Sequence, residues 1–294
     1  MPWMQLRIDA SSSEAKALEQ ALFDAGALAV TLEDNADQPI LEPGLGETPL
    51  WQDTRVTGLF DASVDSQAIS HHLIATGAVN KQLTIWHNLE DKDWEREWLT
   101  HYQPIHCGDK LWICPSGRDV DADGAIVVRL DPGLAFGTGT HPTTFMCLQW
   151  LARQELSGKT VIDYGCGSGI LGIAALLLGA QHVTGIDIDP QALYATRENI
   201  RRNTLPEAAM PVYFPKDCPD IQVDLVIANI LAGPLVELAP TLLSLVRPGG
   251  SVCLSGILTE QADAVIAAYR NDAVINAHYQ QDNWVCLTAT KNES

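Results

Sequence analysis

The glycine-rich stretch VIDYGCGSGILGIAAL, residues 161–176, constrains the fold more than any other part of the chain. An apolar run ends at Asp163-Tyr164, glycines follow at 165, 167 and 169, and a helical pattern comes next. Glycine lets the backbone pass close to a ligand because it has no Cβ, and the N-terminus of a helix faces that ligand. The stretch therefore predicts a strand, a ligand-binding turn and a helix in direct succession.

From residue 143 onward, apolar strands alternate with helical patterns. Helices are predicted at residues 145–154, 168–178, 190–202, 234–246 and 260–270, with strands between them. This alternation indicates a parallel sheet covered by helices on both faces. The final segment, AVINAHYQQDNWVCLTATK, predicts a closing hairpin and so an antiparallel edge. We predict an α/β fold with a doubly wound, mainly parallel, seven-stranded Rossmann-like sheet.

Residues 1–90 predict a separate small α+β domain. Its elements follow the order β-α-β, a loop rich in proline and glycine, then β-α-β again, which is the split pattern of a ferredoxin-like domain. The next segment, DKDWEREWLTHY, predicts a helix with Trp94 and Trp98 on one face. We therefore predict a ferredoxin-like domain at 1–90, a linker helix at 91–104 and the α/β domain at 105–294.

The balance of charged residues indicates which kinds of partner the protein can bind. The 294 residues include 18 Lys and Arg against 37 Asp and Glu, a formal net charge of −19. Such a chain repels phosphate backbones, and Arg201-Arg202 is the one basic cluster in the sequence, so nucleic acid is disfavoured. Residues 1–90 hold 13 acidic and four basic residues, which favours a basic protein partner. Acidity that serves solubility alone is the alternative.

Cysteine usage and the apolar runs bear on compartment and metals. The seven cysteines form no C-x-x-C pair, so we expect no metal site and no redox dithiol. Free thiols are typical of a reducing cytosol. The start, MPWMQLRIDA, lacks the apolar core of a signal peptide, and the longest apolar run, Ile170–Leu178, is too short to span a bilayer. We expect a cytoplasmic protein.

The acidic residue before the glycines indicates the kind of ligand. Asp163 stands two residues before Gly165, where a carboxylate repels a pyrophosphate but suits a cation, such as the amino group or sulfonium of S-adenosylmethionine. The competing interpretation is that Gly167, Gly169 and Gly172 form the G-x-G-x-x-G fingerprint of dinucleotide binding. In that register Gly172 lies one turn inside the helix, where it serves close packing on the sheet.

Two polar residues end neighbouring predicted strands. Asp187 ends the strand after the glycine-rich helix, and a carboxylate there accepts both ribose hydroxyls in either cofactor class. Asn229 ends the strand DLVIAN, across the crevice from the glycines. Its amide offers an acceptor for the N–H groups of an attacking amine, which makes it the candidate catalytic residue. An asparagine that satisfies only the local turn is the alternative.

These residues carry a family resemblance. VIDYGCGSGIL, GIDIDP and VIANILAGP resemble class I S-adenosylmethionine-dependent methyltransferases. LDPGLAFGTGTHPTT, with DKDWEREW and LWICPS, is similar to the bacterial ribosomal protein L11 methyltransferases along the whole chain. The resemblance implies that Thr144, Gly165, Asp187 and Asn229 bind S-adenosylmethionine. It also implies trimethylation of amines on a basic protein of the large ribosomal subunit, with the N-terminal domain recognising that substrate.

The resemblance also gives the loop DPGLAFGTGTHPTT a role, namely a flap over the cofactor. Thr140 or His141 then caps a helix, and the hydroxyls and amides of Thr143 and Thr144 face the methionine part of the cofactor. Phe136 is the apolar group that excludes water or guides an alkyl chain. The alternative is that this loop only connects two secondary-structure elements and binds no ligand.

The residues after Asn229 bear on the substrate. Methyltransferases that act on base amines or glutamine amides typically carry Pro-Pro-aromatic there, whereas this chain has Ile230-Leu231. With no aromatic residue at that position, a flexible alkyl amine fits better than a planar group. We expect a lysine ε-amino or N-terminal α-amino substrate, acted on by a monomeric enzyme. An RNA methyltransferase and a nicotinamide-dependent oxidoreductase remain alternatives.

Overall fold

The computed structural model describes residues 3–36, 49–77, 84–89, 103–131, 137 and 139–293. The chain forms two compact units, Met1–Glu97 and Trp98–Ser294. The predicted linker helix, 91–104, lies outside the described residues except for its last two positions. Within the described parts, no helix combines the length and the apolar character needed to cross a membrane.

The first unit has the predicted ferredoxin-like topology. Its sheet has the order β4-β1-β3-β2 with antiparallel neighbours, which confirms the split β-α-β pattern. The first helix begins where the Ser11 N–H donates to the Glu14 carboxylate, and the second where Asp65 accepts from two backbone N–H groups. The elements are β1 (Trp3–Ser11), α1 (Ser12–Asp24), β2 (Ala29–Asp34), β3 (Asp53–Asp61), α2 (Ser66–Ala75) and β4 (Thr84–Leu89).

The second unit begins with a three-stranded sheet of β5 (Ile105–His106), β6 (Leu111–Cys114) and β7 (Ile126–Arg129). The segments LWIC and IVVR pair with each other and run parallel. A parallel pair needs a long connection, which residues 115–125 supply. The pair leads the chain towards the loop that precedes His141.

The main sheet has seven strands in the order β10-β9-β8-β11-β12-β14-β13, as the fold prediction requires. Strand β14 runs antiparallel to both of its neighbours, so the antiparallel strand lies one place in from the edge. The elements are α3 (Pro142–Leu151), β8 (Thr160–Tyr164), α4 (Ile170–Leu177), β9 (His182–Ile186), α5 (Pro190–Arg202), β10 (Val212–Tyr213), β11 (Val223–Asn229), α6 (Ala232–Glu237), α7 (Ala239–Leu245), β12 (Val246–Leu258), α8 (Ala262–Tyr269), β13 (Ala273–Gln281) and β14 (Trp284–Lys291).

The strand order locates the candidate site. The chain moves outward from β8 to β9 and β10, then returns to place β11 on the other side of β8. Ligands of open α/β sheets bind beyond the carboxyl ends of the strands at such a reversal. The segment after β8 is the glycine-rich turn, and the last residue of β11 is Asn229.

Both faces of this sheet are buried. Successive residues of β8, Val161 and Ile162, belong to two different hydrophobic clusters, and so do Val226 and Ile227 of β11. Because strand side chains alternate between faces, a strand covered on both sides must be apolar throughout. This requirement explains the continuous apolar runs in the sequence.

One predicted helix is divided. The segment 234–246 contains two helices, α6 and α7, because Pro240 lies in the first turn of the second. Proline has no N–H to donate to an earlier carbonyl, so a single helix cannot run through it without a lost bond. The predicted helix 260–270 likewise begins as a 3-10 turn at Thr259–Gln261 before α8.

Candidate active site

A cavity of about 750 Å³ lies beyond the carboxyl ends of β8, β9 and β11. It is mostly apolar, and Asp187 is the one carboxylate among the described residues that line it; no lysine or arginine is among them. Five predicted site residues line this cavity: Thr143, Gly165, Gly167, Asp187 and Asn229. The remaining lining residues are His141, Tyr164, Ile188, Pro215, Ile230, Leu231, Pro234, Leu238, Gly256 and Trp284.

The glycine turn is tightly folded. Gly165 has φ +75°, and a Cβ there would overlap the Ile230 side chain. The Gly165 and Cys166 N–H groups both donate to the Ile186 carbonyl, at 2.7 and 3.0 Å. The turn is therefore anchored to the end of β9, and any residue larger than glycine at 165 would fill the space beside β11.

The N–H groups of the turn are engaged within the protein. Besides the two bonds to Ile186, the Gly167 N–H donates to Asp187 Oδ2 at 2.9 Å and the Gly169 N–H to the Cys166 carbonyl at 2.7 Å. A pyrophosphate site needs backbone N–H groups directed at the phosphates. This turn lacks that arrangement at four positions, which argues against a dinucleotide.

Helix α5 supports the turn from behind, through residues that the sequence reasoning missed. Thr196 Oγ1 donates to the Gly167 carbonyl at 3.0 Å, and Asn199 Nδ2 donates to the Ser168 carbonyl at 2.8 Å. Both side chains are buried. The sequence signal that could have indicated this role was a threonine and an asparagine three residues apart on the buried face of a predicted helix.

Asp187 lies at the tip of β9, as predicted. Its Oδ2 accepts from Gly167, and its Oδ1 accepts the Asp189 N–H at 3.0 Å. A carboxylate has about four lone-pair positions, so two remain to accept ribose hydroxyls. Asp189 in turn caps α5 by accepting the Gln191 N–H at 2.8 Å.

Asp163 lies behind the turn rather than in the cavity wall, with 1% of its surface exposed. Its Oδ2 accepts the Gly172 N–H at 2.8 Å, whereas no described residue hydrogen-bonds to its Oδ1. Burial raises the pKa of this carboxyl group to about 8, although the Gly172 bond opposes the shift. Asp163 thus satisfies a first-turn donor of α4 and leaves one polar atom without a partner.

Gly172 has the packing role expected of it. It is the third residue of α4, and a Cβ there would lie 2.9 Å from Met210 Sδ and 3.0 Å from Val183 Cγ1. Helix α4 can therefore approach β9 closely at this position. The third glycine of the apparent dinucleotide fingerprint serves packing and does not contact the cavity.

The tip of β11 is joined to helix α3. Asn229 Nδ2 donates to Thr144 Oγ1 at 3.1 Å, and Asn229 lines the cavity, so its Oδ1 is the acceptor that the side chain can offer to a ligand. Thr144 is buried behind Asn229 and does not line the cavity. Thr143 is held by the Ser255 hydroxyl, which donates to its carbonyl at 3.1 Å; Ser255 was not predicted.

His141 and Trp284 form a second wall. His141 is the N-cap of α3, its Nδ1 lies 2.8 Å from Thr143 Oγ1, and burial lowers the pKa of its ring. The His141 and Trp284 ring centroids are 4.9 Å apart with planes at 70°, an edge-to-face contact. Trp284 is 55 residues from Asn229 in sequence, and no local pattern pointed to it.

Part of the predicted flap cannot be placed. Phe136 lies outside the described residues, as do its neighbours 132–135 and 138. Gly137 is described, and its carbonyl accepts from the Ser168 hydroxyl at 2.7 Å, so this end of the flap meets the glycine turn. The role of Phe136 stays a prediction.

Three buried cysteines lie close together, although their spacing in the sequence gave no sign of a cluster. The Sγ atoms of Cys147, Cys253 and Cys286 lie within 4.8 Å of one another in the core. Burial is the main cause that raises the pKa of Cys253 well above its ordinary value, which favours the neutral thiol. The pKa of Cys286 moves the other way, because hydrogen bonds from Cys147 and Cys253 lower it, and the three Sγ atoms lie close enough together to ligate one metal ion.

The sheet order, the cation-compatible cavity and the engaged turn define a class I S-adenosylmethionine-dependent methyltransferase. Comparison with known proteins agrees. The model of the family "Ribosomal protein L11 methyltransferase (PrmA)" matches residues 2–292. The chain belongs to this family and is a protein methyltransferase that uses S-adenosylmethionine.

Individual relatives give the extent of the similarity. The chain is 60% identical to the ribosomal protein L11 methyltransferase of Teredinibacter turnerae, over 99% of this chain and 97% of the relative. It is 56% identical to that of Cellvibrio japonicus, over 99% of each. A crystal structure of the ribosomal protein L11 methylase from Lactobacillus delbrueckii subsp. bulgaricus aligns with a TM-score of 0.60 and 34% identity, over 65% of this chain and 100% of that one.

Proposed function

We propose that this enzyme methylates lysine ε-amino groups and the N-terminal α-amino group of ribosomal protein L11, up to the trimethyl state. The observation that carries the proposal is the Asn229 amide, held by Thr144 so that its oxygen is available as an acceptor in an apolar cavity. The names of the relatives support L11 as the substrate. The alkyl-amine preference rests on Ile230 and Leu231, which stand where amide and base methyltransferases carry prolines and an aromatic residue.

The cavity fits S-adenosylmethionine. A Cβ at Gly165 would overlap Ile230, Asp187 supplies the one carboxylate of the described lining, and no described lining residue is a lysine or arginine that would repel a sulfonium. The residues that would hold the cofactor are Thr143, Thr144, Gly165, Gly167, Asp187 and Asn229, with Asp163 behind the turn and Phe136 as the predicted flap contact. When bound, S-adenosylmethionine supplies a methyl group already activated on sulfur.

The protein therefore acts mainly by positioning. Asn229 Oδ1 accepts an N–H of the incoming amine, which turns the nitrogen lone pair towards the methyl carbon. The amine must be neutral to react, and its reference pKa is about 10.4 for lysine and about 7.8 for an N-terminus. The apolar wall formed by Ile230, Leu231 and Pro234 favours the neutral form because desolvation disfavours charge.

The N-terminal domain is proposed to recognise the substrate. Its composition is strongly acidic, and acidic surfaces attract a basic ribosomal protein and raise the rate of encounter. In this proposal residues 91–104 form the linker on which the domain swings. We further propose that the enzyme is a cytoplasmic monomer that binds no nucleic acid directly.

Mass spectrometry of L11 after incubation with the enzyme and isotope-labelled S-adenosylmethionine tests the proposal. We expect label on lysine and N-terminal amines, with each site carrying up to three methyl groups. The Asn229→Ala enzyme is the matched control and should label L11 far more slowly. Labelled ribosomal RNA with unlabelled protein would support the RNA methyltransferase alternative instead.

A further inference from the structure

The cavity has two chemically different sides. The glycine turn and Asp187 form one side, at the ends of β8 and β9. Asn229, Leu231, Gly256 and Trp284 form the other, around β11, β12 and β14. The described lining residues of this second side include no carboxylate that could pair with a positive charge.

Trp284 stands beyond the tip of β11. Asn229 pairs with Ser255 of β12, whereas Trp284 pairs with Leu258, three residues further along the same strand. About two regular steps of 3.4 Å, roughly 7 Å in all, separate Trp284 from the level of Asn229, because one of the three residues lies in a bulge. A bulge in β12 between Leu254 and Ile257 bends the strand at that point. The indole therefore lines the cavity beyond the tip of β11.

The indole is held in place by a neutral partner. His141 meets it edge to face at 4.9 Å, and His141 is itself fixed through Nδ1 to Thr143 at the start of α3. Burial lowers the pKa of His141, so the imidazole is neutral and does not occupy the indole as a competing cation. The His141 contact therefore adds no positive charge beside the indole, which also lines the cavity.

The reaction creates such a cation on this side. The amine lone pair forms the new N–C bond while the C–S bond breaks and its electrons remain on sulfur, so the positive charge moves from sulfur to nitrogen. Before the next transfer, the methylated nitrogen must release a proton to water. Methylated ammonium groups are favoured ligands of aromatic faces because they are large and weakly hydrated.

We propose that Trp284 is a specificity residue that binds the methylated ammonium group by a cation–π contact and retains it between successive methyl transfers. The inference rests on the proposed amine methylation and adds the means by which partly methylated product stays in the site. Trp284 also provides the aromatic group that is absent after Asn229. It does so from a different place in the sequence, and its proposed ligand is a cation rather than a planar amide.

Calorimetric binding of two peptides to the full-length enzyme tests the contact directly. One peptide carries trimethyllysine, and the other carries its neutral tert-butyl isostere of the same shape. We expect the wild type to prefer the cationic peptide by about 3- to 10-fold. Trp284→Leu should abolish the preference, and Trp284→Phe should keep part of it. Equal affinity of the wild type for the two peptides would overturn the proposal, because shape alone would then explain binding.

Product distributions provide the second readout. Trp284→Leu should slow the second and third transfers to L11 more than the first, so mono- and dimethyl forms accumulate. The matched control is Trp112→Leu, which removes another indole in contact with a histidine, His106 at 4.5 Å, outside the cavity. Thermal melting establishes that each variant is folded. An unchanged distribution in folded Trp284→Leu contradicts the inference, whereas no transfer to L11 by the wild type contradicts the proposed function instead.

Discussion

The chemistry of the site depends on single polar side chains whose partners are known. Asn229 lines the cavity and donates to Thr144, so its amide is oriented before any ligand enters. Asp163 is the opposite case, since it is buried with one oxygen unpaired. The first residue is proposed to act on an amine, and the second gains or loses a proton as the pH changes.

Asn229→Ala should lower turnover by about 10- to 100-fold, because a hydrogen bond at the reacting nitrogen contributes roughly 1.5–3 kcal/mol. Cofactor affinity should fall much less. Single-turnover rates and calorimetric titration with S-adenosylmethionine separate the two effects. Thr144→Val, which removes the partner of Nδ2, should reproduce part of the loss, whereas Thr144→Ser should retain activity. Turnover by Asn229→Ala equal to the wild type would remove Asn229 from the catalytic role.

Asp163 should make the protein less stable as pH rises. Its pKa is raised by burial from 3.8 to about 8, so the folded state holds a proton that the unfolded state has lost between those values. The stabilisation is complete below pH 3.8 and is lost by pH 8. This group alone predicts a decrease of about 1.4 kcal/mol per pH unit in the free energy of unfolding. Urea denaturation from pH 5 to 8 measures the slope, which Asp163→Asn should remove.

Among the secondary-structure elements, the strand–turn–helix unit of β8 and α4 is the most constrained. The turn is held to β9 by two bonds to the Ile186 carbonyl and to α5 by Thr196 and Asn199. Its geometry therefore depends on two helices and two strands at once. A substitution in the turn should affect binding as well as stability.

Gly165→Ala tests this dependence against a matched control. Gly158 has φ +72°, close to the +75° of Gly165, but a Cβ at 158 would meet nothing within 4 Å. Both alanine variants should lose about 1–2 kcal/mol from the left-handed backbone. Gly165→Ala should lose about 1–3 kcal/mol more because its Cβ overlaps Ile230. Urea denaturation and cofactor titration measure the difference. Equal losses in the two variants would show that the cradle tolerates a side chain.

At the scale of the whole molecule, the two units are expected to serve different functions, cofactor binding and substrate recognition. Each unit has its own hydrophobic core, and every described residue that lines the cavity belongs to the second. Cofactor binding should therefore be independent of the first unit. Recognition of the protein substrate is proposed to require it.

Deletion of residues 1–90 should abolish methylation of L11 while calorimetric affinity for S-adenosylmethionine changes less than about threefold. The physical reason is that the deletion removes acidic surface without touching the cavity lining. Circular dichroism establishes that the remaining unit is folded. Continued modification of L11 at the normal rate would show that the α/β domain recognises the substrate alone.

The predictions from the sequence succeeded where the determining interactions are local. A buried strand, a turn that needs glycine and a following helix are adjacent in the chain, so residues 161–177 were predictable from pattern. The same holds for the placement of Asp187 and Asn229 at strand tips. Helix ends near Pro240 were less accurate, because one proline changed how a long apolar segment is divided.

Packing between distant segments determined the rest. The bond between Asn229 and Thr144 joins residues 85 positions apart, and the contact of Trp284 with His141 spans more than 140. The clustering of Cys147, Cys253 and Cys286 arises in the same way. The amino-acid sequence thus predicted the sheet, the glycine turn and the class of ligand, since these follow from local pattern and residue chemistry. The aromatic wall, the orientation of Asn229 and the burial of Asp163 depend on which elements the fold brings together, and no short-range pattern encodes that.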